Sequence, residues 1–341
     1  MSTCKYGTNR VIEPKGVLPQ AATKINNTMK IYDNELLIDV ITLNIDSASF
    51  TQIKNACGKD VKLMEEMILG IVSQRGKMQN PVTGSGGMLI GTIKEIGKDF
   101  PTDLKVGDKI ATLVSLSLTP LNIEKINSIN IDNDQVNITG QAILFESGIY
   151  AKVPKEMDEH LVLAALDVAG APAQVNKLVK EGDTVVIIGA AGKSGVLCAY
   201  QAMKNAGENG HIIGVVNEEW QIDLLKELDL CHDVVLADAT NAVEVYEKVK
   251  TIAPELADVT INVVNVPNTE MGCILATKDT GTVYYFSMAT SFTKAALGAE
   301  GVGSDVTMII GNGYTKGHAE LTLNLVNNAE KIKQLFEKLY T

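Results

Sequence analysis

The stretch "VVIIGAAGKSGVLCAYQAMKNAG", residues 185–207, decides the fold. Val185 to Ile188 form an apolar run of strand length, and the residues after Gly195 carry helical spacing. Gly189, Gly192 and Gly195 stand between the two. A lone glycine triplet is weak evidence. Between a strand and a helix it reads as a dinucleotide-binding turn. Gly189 makes the tight turn, Gly192 lets backbone approach a pyrophosphate, and Gly195 lets helix and strand pack closely. The helix start offers free N–H groups and the positive end of its dipole to the anion. Ala191, Lys193 and Ser194 complete the turn and join the expected cofactor contacts. The bland alternative is a tight strand–helix connection with no ligand.

Downstream the pattern repeats. Strand-like "HIIGVVN", "DVVLAD", "DVTINVVNV", "GTVYYFSM" and "VTMIIGNG" alternate with helix-like segments, and "HAELTLNLVNNAEKIKQLFEKLY" reads as a last helix. Such alternation predicts an α/β doubly wound parallel sheet with helices on both faces. The second strand should end in an acid that binds the ribose hydroxyls. Here it ends in Asn217, with Glu218 next, and either one is placed for that task. No arginine lies nearby to take a 2′-phosphate, which favours NAD over NADP. Trp220 is placed either to line the adenine side or to pack its helix. Ligands bind outside the carboxyl ends of such strands. Val264 and Asn265, with Ser287 and Met288, are therefore the expected nicotinamide walls.

Upstream the character differs. "ELLIDVITLNI" (35–45), "GGMLIGTIKEIG" (86–97), "LKVGDKIATLVS" (104–115) and "LFESGIYAKVP" (144–154) read as short strands with turn punctuation. They predict an antiparallel, barrel-like first domain over 1–154, with the cofactor domain over 155–341. A chain of 341 residues is long enough for two such domains. Net charge is −11, with no dense basic block, so nucleic-acid or acidic-membrane binding is disfavoured. No apolar run reaches the ~18 residues of a membrane span, and the start has no apolar stretch of signal-peptide length. The five cysteines are scattered with no CxxC pair. Reduced thiols in a cytoplasmic protein are expected.

The layout resembles the medium-chain dehydrogenase/reductase superfamily, whose members join an N-terminal GroES-like β-barrel catalytic domain to a C-terminal Rossmann domain. "GAAGKSG" resembles the turn of its quinone-reductase branch. "GTIKEIGKDFPTDLKVGDKIATL" resembles its glycine/VGDKV hairpin, and "GIYAKVPKEMD" its crossing into the cofactor domain. Its zinc ligands are replaced. "LNIDSASF" puts Asp46 or Ser47 at the cysteine position, "GSGG" puts Ser85 at the histidine, and "AALDVAGAP" puts Asp167 or Val168 at the third ligand. A tetrahedral zinc site wants Cys or His, so no metal is expected. The resemblance would set Asp46 and Asp167 near the nicotinamide end of the cleft, where carboxylates suit a protonated amine. For Asp46 the alternative is an Asx-type cap of the next turn.

The unusual opening "CKYGTNRVIEPKGVLPQAATKINN" (4–27), together with "GAAGKSG" and the zinc-free pocket, is similar to the 3,5-diaminohexanoate dehydrogenase family of anaerobic lysine fermentation. That resemblance implies NAD-dependent oxidative deamination of a small diamino acid. The competing reading is a zinc-independent NAD(P)H-dependent quinone or enoyl reductase. The implied chemistry needs a base for the ammonium and a group that orients water. Asp46, Ser47 and Ser85 are the catalytic candidates. The substrate carboxylate wants a guanidinium or an ammonium, and the chain has only Arg10 and Arg75. Arg75 with Lys77 is expected there, with Arg10 in reserve. Asp167 or Glu146 would take the distal ammonium. A homodimer is expected.

Overall fold

The computed structural model describes residues 3–311 and 313–340. The chain divides into two compact units, one ending at Asp167 and the other running from Val168 to Leu339.

The first unit opens with a small antiparallel pair, β1 (Val11–Glu13) and β2 (Lys24–Ile25). Then come β3 (Glu35–Ile45), α1 (Ser47–Ala56), α2 (Val61–Arg75), β4 (Gly87–Ile96), β5 (Lys109–Thr112), β6 (Leu121–Asn130), β7 (Gln135–Phe145), β8 (Tyr150–Lys152) and α3 (Glu159–Leu166). The larger sheet is antiparallel throughout, in the order β6-β7-β3-β4-β5-β8. Residues 155–167 belong with this unit: Lys109 pairs with Glu159, and His160 hydrogen-bonds Gln135.

β3 sits at the centre, and its irregularity places the site. Its register shifts between Val40 and Thr42 against both neighbours. A bulge inserts one residue, so the side-chain alternation changes phase. Before it Leu36, Ile38 and Val40 enter the main core; after it Leu43 and Ile45 do. Asn44 and Asp46 are thereby turned away from that core. Helices α1 and α2 cover the core through Phe50, Ile53, Met64, Ile68 and Val72. Asp60 starts α2 by accepting from the amides of Lys62 and Leu63, at 2.9 and 3.2 Å. Gly76 stops it in a left-handed conformation.

The second unit comprises α4 (Gly170–Leu178), β9 (Thr184–Ile188), α5 (Lys193–Ala206), β10 (His211–Val216), α6 (Glu219–Leu228), β11 (Asp233–Leu236), α7 (Ala242–Ile252) and β12 (Ala257–Asn262). It continues with α8 (Glu270–Leu275), β13 (Thr277–Tyr285), α9 (Phe292–Val302), β14 (Thr307–Ile310), α10 (His318–Asn328) and α11 (Glu330–Tyr340). Its six strands are parallel, in the order β11-β10-β9-β12-β13-β14. In chain sequence that is third, second, first, fourth, fifth, sixth, the doubly wound order of dinucleotide-binding sheets. Val185 to Ile188 and Ile212 to Val216 are nearly all buried, as expected of strands covered on both faces.

Candidate functional site

In the second unit the site begins where the strand order reverses, between β9 and β12. The quoted turn behaves as its glycines require. Gly189 has φ +89°, and its N–H donates to Val215 O at 2.9 Å. A Cβ on Gly195 would stand 2.2 Å from Gly189 O, so only glycine lets α5 start this close to the strand. A Cβ on Gly192 would meet nothing nearer than Gly189 O, at 3.5 Å. Gly192 thus has space beside it, and it caps α5 with no side-chain hydrogen bond. A helix start of this kind, with no side-chain cap, is where an anion is ordinarily received.

A cavity of about 360 Å³ lies at the carboxyl ends of β9, β10, β11 and β12. Of the expected cofactor residues, Gly189, Ala191, Gly192, Asn217, Val264 and Asn265 line it. Lys193, Ser194 and Gly195 form the helix start behind the turn. Glu218 instead begins α6, where Gln221 Oε1 accepts from the amides of Asn217 and Glu218, at 3.1 and 3.2 Å. Ser287 and Met288 follow β13, off this cavity, and Met288 is fully exposed.

Sequence reasoning missed Gln221, Asp238 and Thr240 in the wall. "LAD" at the end of β11 was the available signal for Asp238. Its carboxylate accepts from the Thr240 amide and hydroxyl, at 2.9 and 2.8 Å, which hold it below its ordinary value. Asn262 was missed as well. Fully buried at the end of β12, it donates to Thr269 Oγ1 at 2.8 Å and accepts from the Val264 amide at 3.1 Å. Its carbonyl receives the amides of Phe286 and Ser287. One residue thus fixes the loops after β12 and β13.

In the first unit Asp46, Ser85 and Asp167 come together. Asp46 occupies the cap position of α1 but makes no side-chain cap bond. Its Oδ2 instead accepts the Gly86 amide at 3.0 Å, and Ser85 interacts with the same carboxylate. The cap reading of Asp46 is therefore set aside. Burial raises the Asp46 carboxyl above its ordinary value, and the negative charge of Asp167 adds to that rise. The Gly86 amide and Ser85 oppose it.

Two further hydroxyls, missed in the sequence, complete this network. Ser49 Oγ lies 2.6 Å from Ser85 Oγ and 2.5 Å from Thr83 Oγ1. Asn80, fully buried, accepts the amides of Val82 and Thr83 and donates to Ser49 O and Gln52 Oε1.

The other expected residues are placed elsewhere. Ser47 turns outward and donates to Asp134 Oδ2 at 2.7 Å. Lys77 is fully buried, donating to Pro19 O at 2.6 Å and Gln20 O at 3.2 Å. Burial, helped by Arg75, lowers its pKa to about 8. Lys77 thus serves the N-terminal arm and points at no open site. Arg10 is spent in a buried bidentate pair with Glu35, at 2.8 and 2.6 Å, and on the carbonyls of Asn26, Thr28 and Lys30. Glu146 accepts from Asn34 Nδ2 at 2.9 Å. Arg75 is half-buried, with Nη2 on Gln79 Oε1 at 3.0 Å. Among the described residues no group of three or more His, Cys, Asp or Glu is arranged to hold a metal ion.

Residues 9–154 match the model of the L-erythro-3,5-diaminohexanoate dehydrogenase N-terminal domain. An L-erythro-3,5-diaminohexanoate dehydrogenase of Acetoanaerobium sticklandii is 62% identical over the whole of both chains. One of Fusobacterium nucleatum subsp. nucleatum is 59% identical over 99% of each. Among solved structures the CurK enoyl reductase aligns with TM-score 0.57 at 16% identity, covering 89% of this chain and 82% of that one. A mycobacterial protein, Rv1454c, complexed with NADPH, aligns with TM-score 0.55 at 15% identity, over 94% and 84%. At such identities the structural likeness speaks for the fold alone.

Proposed function

The chain belongs to the L-erythro-3,5-diaminohexanoate dehydrogenase family, and from that premise we propose that it oxidatively removes the 3-amino group of this diamino acid with NAD. The products are 5-amino-3-oxohexanoate and ammonia. The relatives' names favour an amine over the quinone or enoyl substrates of the structural neighbours. The observation that carries the proposal is the placement of Asp46 and Asp167. The two carboxylates lie close enough for one to raise the other, in a site whose remaining groups are an amide and hydroxyls. That field favours an ammonium.

The cofactor assignment rests on charge. No lysine or arginine is among the described residues lining the dinucleotide groove, whereas Asp238 is. Both arginines lie in the first unit. A 2′-phosphate would find no cation there, while ribose hydroxyls would find Asn217, Gln221 and Asp238. The uncapped start of α5 and the space beside Gly192 fit a pyrophosphate. When bound, NAD supplies the hydride acceptor.

The protein's own groups do the proton work. The ammonium at C3 must become neutral before hydride can leave its carbon. Asp46 takes that proton, and its raised affinity for protons brings it nearer to a working base. Once Asp46 has released that proton to solvent, Ser85 orients the water that attacks the resulting iminium; Asp46 accepts a proton from this water and returns it to the departing amine. Asp167 holds the distal ammonium, and Arg75 remains the proposed partner for the substrate carboxylate.

No helix of the described residues is long and apolar enough to cross a membrane. Five free cysteines fit a reducing compartment, and the cytoplasm is the proposed location. A homodimer is the proposed state. The outer parallel strand, β14, carries Ile310 at 60% exposure, with Tyr314 at 45% just beyond. Light scattering on the purified protein tests that. For the activity, initial rates with L-erythro-3,5-diaminohexanoate are compared with NAD and with NADP. Reduction of NAD at a kcat/KM at least tenfold above that of NADP is expected; no reduction of either refutes the proposal.

A further inference from the structure

The N-terminal arm contributes no group to the proposed chemistry, yet it is bonded to the segment that does. Residues 18–22 close a tight turn, with the amides of Ala21 and Ala22 donating to Leu18 O at 3.0 and 3.1 Å. The carbonyls of Pro19 and Gln20 accept from the segment after α2. Lys77 Nζ donates to both, at 2.6 and 3.2 Å, and Gln79 Nε2 donates to Gln20 O at 3.0 Å. The same Nε2 donates to Gly84 O at 3.2 Å, and Gln79 Oε1 accepts from Arg75 Nη2 at 3.0 Å. These partners fix the orientation of the amide. A guanidinium only donates and carbonyls only accept, so the oxygen faces Arg75 and the NH₂ faces Gln20 and Gly84. One buried side chain thus joins the arm, the end of α2 and the loop before β4.

We propose that Gln79 is a positioning residue through which the N-terminal arm holds the 80–86 loop against Asp46. This rests on the deamination reading above. Apolar packing does not place the loop tip: Val82 is 71% exposed, and Pro81, Thr83 and Gly84 are exposed as well. Hydrogen bonds do. Asn80 closes the loop, its carbonyl receiving the Gly84 amide at 2.8 Å and its amide donating to Ser85 O at 3.0 Å. The Asn80 side chain ties the base of the loop to α1 through Ser49 O and Gln52 Oε1. Gln79 supplies a second hold, to the arm. At its end the loop meets Asp46 twice. The Gly86 amide donates to Asp46 Oδ2 at 3.0 Å, and the Asp46 amide donates to Gly86 O at 3.3 Å. Every link from Gln20 to Asp46 is therefore a hydrogen bond or a peptide bond: Gln20 O to Gln79, Gln79 to Gly84, two residues of backbone to Gly86, and Gly86 to Asp46. Gln79 also steadies Arg75, the proposed partner of the substrate carboxylate. The dinucleotide groove belongs to the other unit and owes nothing to this chain of contacts.

Gln79→Met keeps the length of the side chain and gives up all three bonds. Gln79→Glu keeps an acceptor for Arg75 and gives up the two donations. Both are compared with the wild-type enzyme for kcat and its pH profile, KM for the diamino acid and for NAD, melting temperature, and amide hydrogen exchange of the 80–86 segment. Each should lower kcat about tenfold, part of the loss that an ångström of misplacement brings, and leave KM for NAD within twofold. KM for the diamino acid should rise in Gln79→Met, where Arg75 loses its support. Exchange at 80–86 should quicken severalfold. The acid limb of kcat should move to higher pH, because a carboxylate that loses the Gly86 amide is harder to ionise; Asp167 and Ser85 are the other groups that face it. Wild-type kcat and exchange in both variants overturn the proposal. So does a lower melting temperature with the acid limb and the exchange of 80–86 unmoved, which assigns Gln79 to stability alone. If Gln79→Met does not fold, Gln79→Glu decides alone. If the wild-type enzyme itself fails to oxidise the diamino acid, the deamination reading falls and the kinetic role of Gln79 falls with it; unchanged exchange at 80–86 overturns the link from arm to loop whatever the enzyme oxidises.

Discussion

Replacing Asp46 with Asn isolates its charge from its geometry. Asn keeps an oxygen where Oδ2 now accepts the Gly86 amide at 3.0 Å, so the link between the end of β3 and the loop before β4 survives. The neighbouring Ser85 keeps a polar partner. What disappears is a negative charge and a proton acceptor. Positioned general bases contribute roughly 10²–10⁴ in rate, about 3–5 kcal/mol of barrier. Asp46→Asn should therefore lower kcat by two to four decades, with a much smaller effect on KM for NAD. Stability should move the other way. Burial and Asp167 raise the folded carboxyl above its unfolded value, so the folded state prefers the protonated form. The penalty is absent below the unfolded pKa, grows as pH rises towards the folded pKa, and is fully present above it. The variant should melt higher than wild type at neutral pH, and the gap should close as pH falls towards the ordinary aspartate range. Thermal unfolding between pH 4 and 8 alongside kcat is the assay. A variant within threefold of wild-type kcat, or one less stable at pH 7 than at pH 4 relative to wild type, refutes the assignment of Asp46 as a strained base.

Gly192→Val and Gly195→Val should part company. The first has room in the fold and should keep its melting temperature within a few degrees while raising KM for NAD at least tenfold; the second drives Cβ to 2.2 Å from Gly189 O and should not yield folded protein. Asn217→Arg adds the missing cation beside the ribose end of the groove. A charged hydrogen bond is worth about 1.5–3 kcal/mol, so kcat/KM with NADP should rise on the order of tenfold or more, read from initial rates. For Lys77, a folded pKa of about 8 against an ordinary 10.5 means that the unfolded chain binds more protons between those values, so stability should rise over that interval, by about 3 kcal/mol. Lys77→Met should flatten that limb in denaturant titrations at pH 7.5 to 10.5; an unchanged slope refutes the burial argument.

The parallel sheet was legible because its strands are short apolar runs, buried in β9, β10 and β12, set between turn residues and helical spacing. Helices α1 and α2 were not. Their apolar residues, Phe50, Ile53, Met64 and Ile68, are diluted by polar ones, and "NIDSAS" reads locally as a turn. The β6–β7 hairpin was hidden for a related reason: β6 buries only Leu121 and Ile126 well, so its alternation is faint. The last helical pattern was read through its break, and it divides into α10 and α11 at Ala329. In the site, the glycine turn was readable from local sequence, whereas Asp46 was singled out through the family resemblance. Ser49 and Ser85 are 36 positions apart, and only tertiary packing brings them together. The bulge in β3 was also unreadable, because it changes only which alternate residues face the core.

Amine oxidation makes a different demand on a site from alcohol oxidation. An alcohol hydroxyl is about as weak an acid as water, near 15.7, and its proton leaves at neutral pH only with strong electrostatic help such as a metal ion gives. An alkylammonium resembles a lysine side chain, near 10.4, so the gap to a carboxylate is several units smaller on the donor side. Raising the carboxylate narrows the gap further, and Asp46 is raised by burial and by Asp167. By surface exposure Asp46 is half-buried. In this fold the bulge that turns Asp46 out of the core also sets it beside the loop carrying Thr83 and Ser85. The placement of the proposed base beside that loop thus follows from one local irregularity in β3.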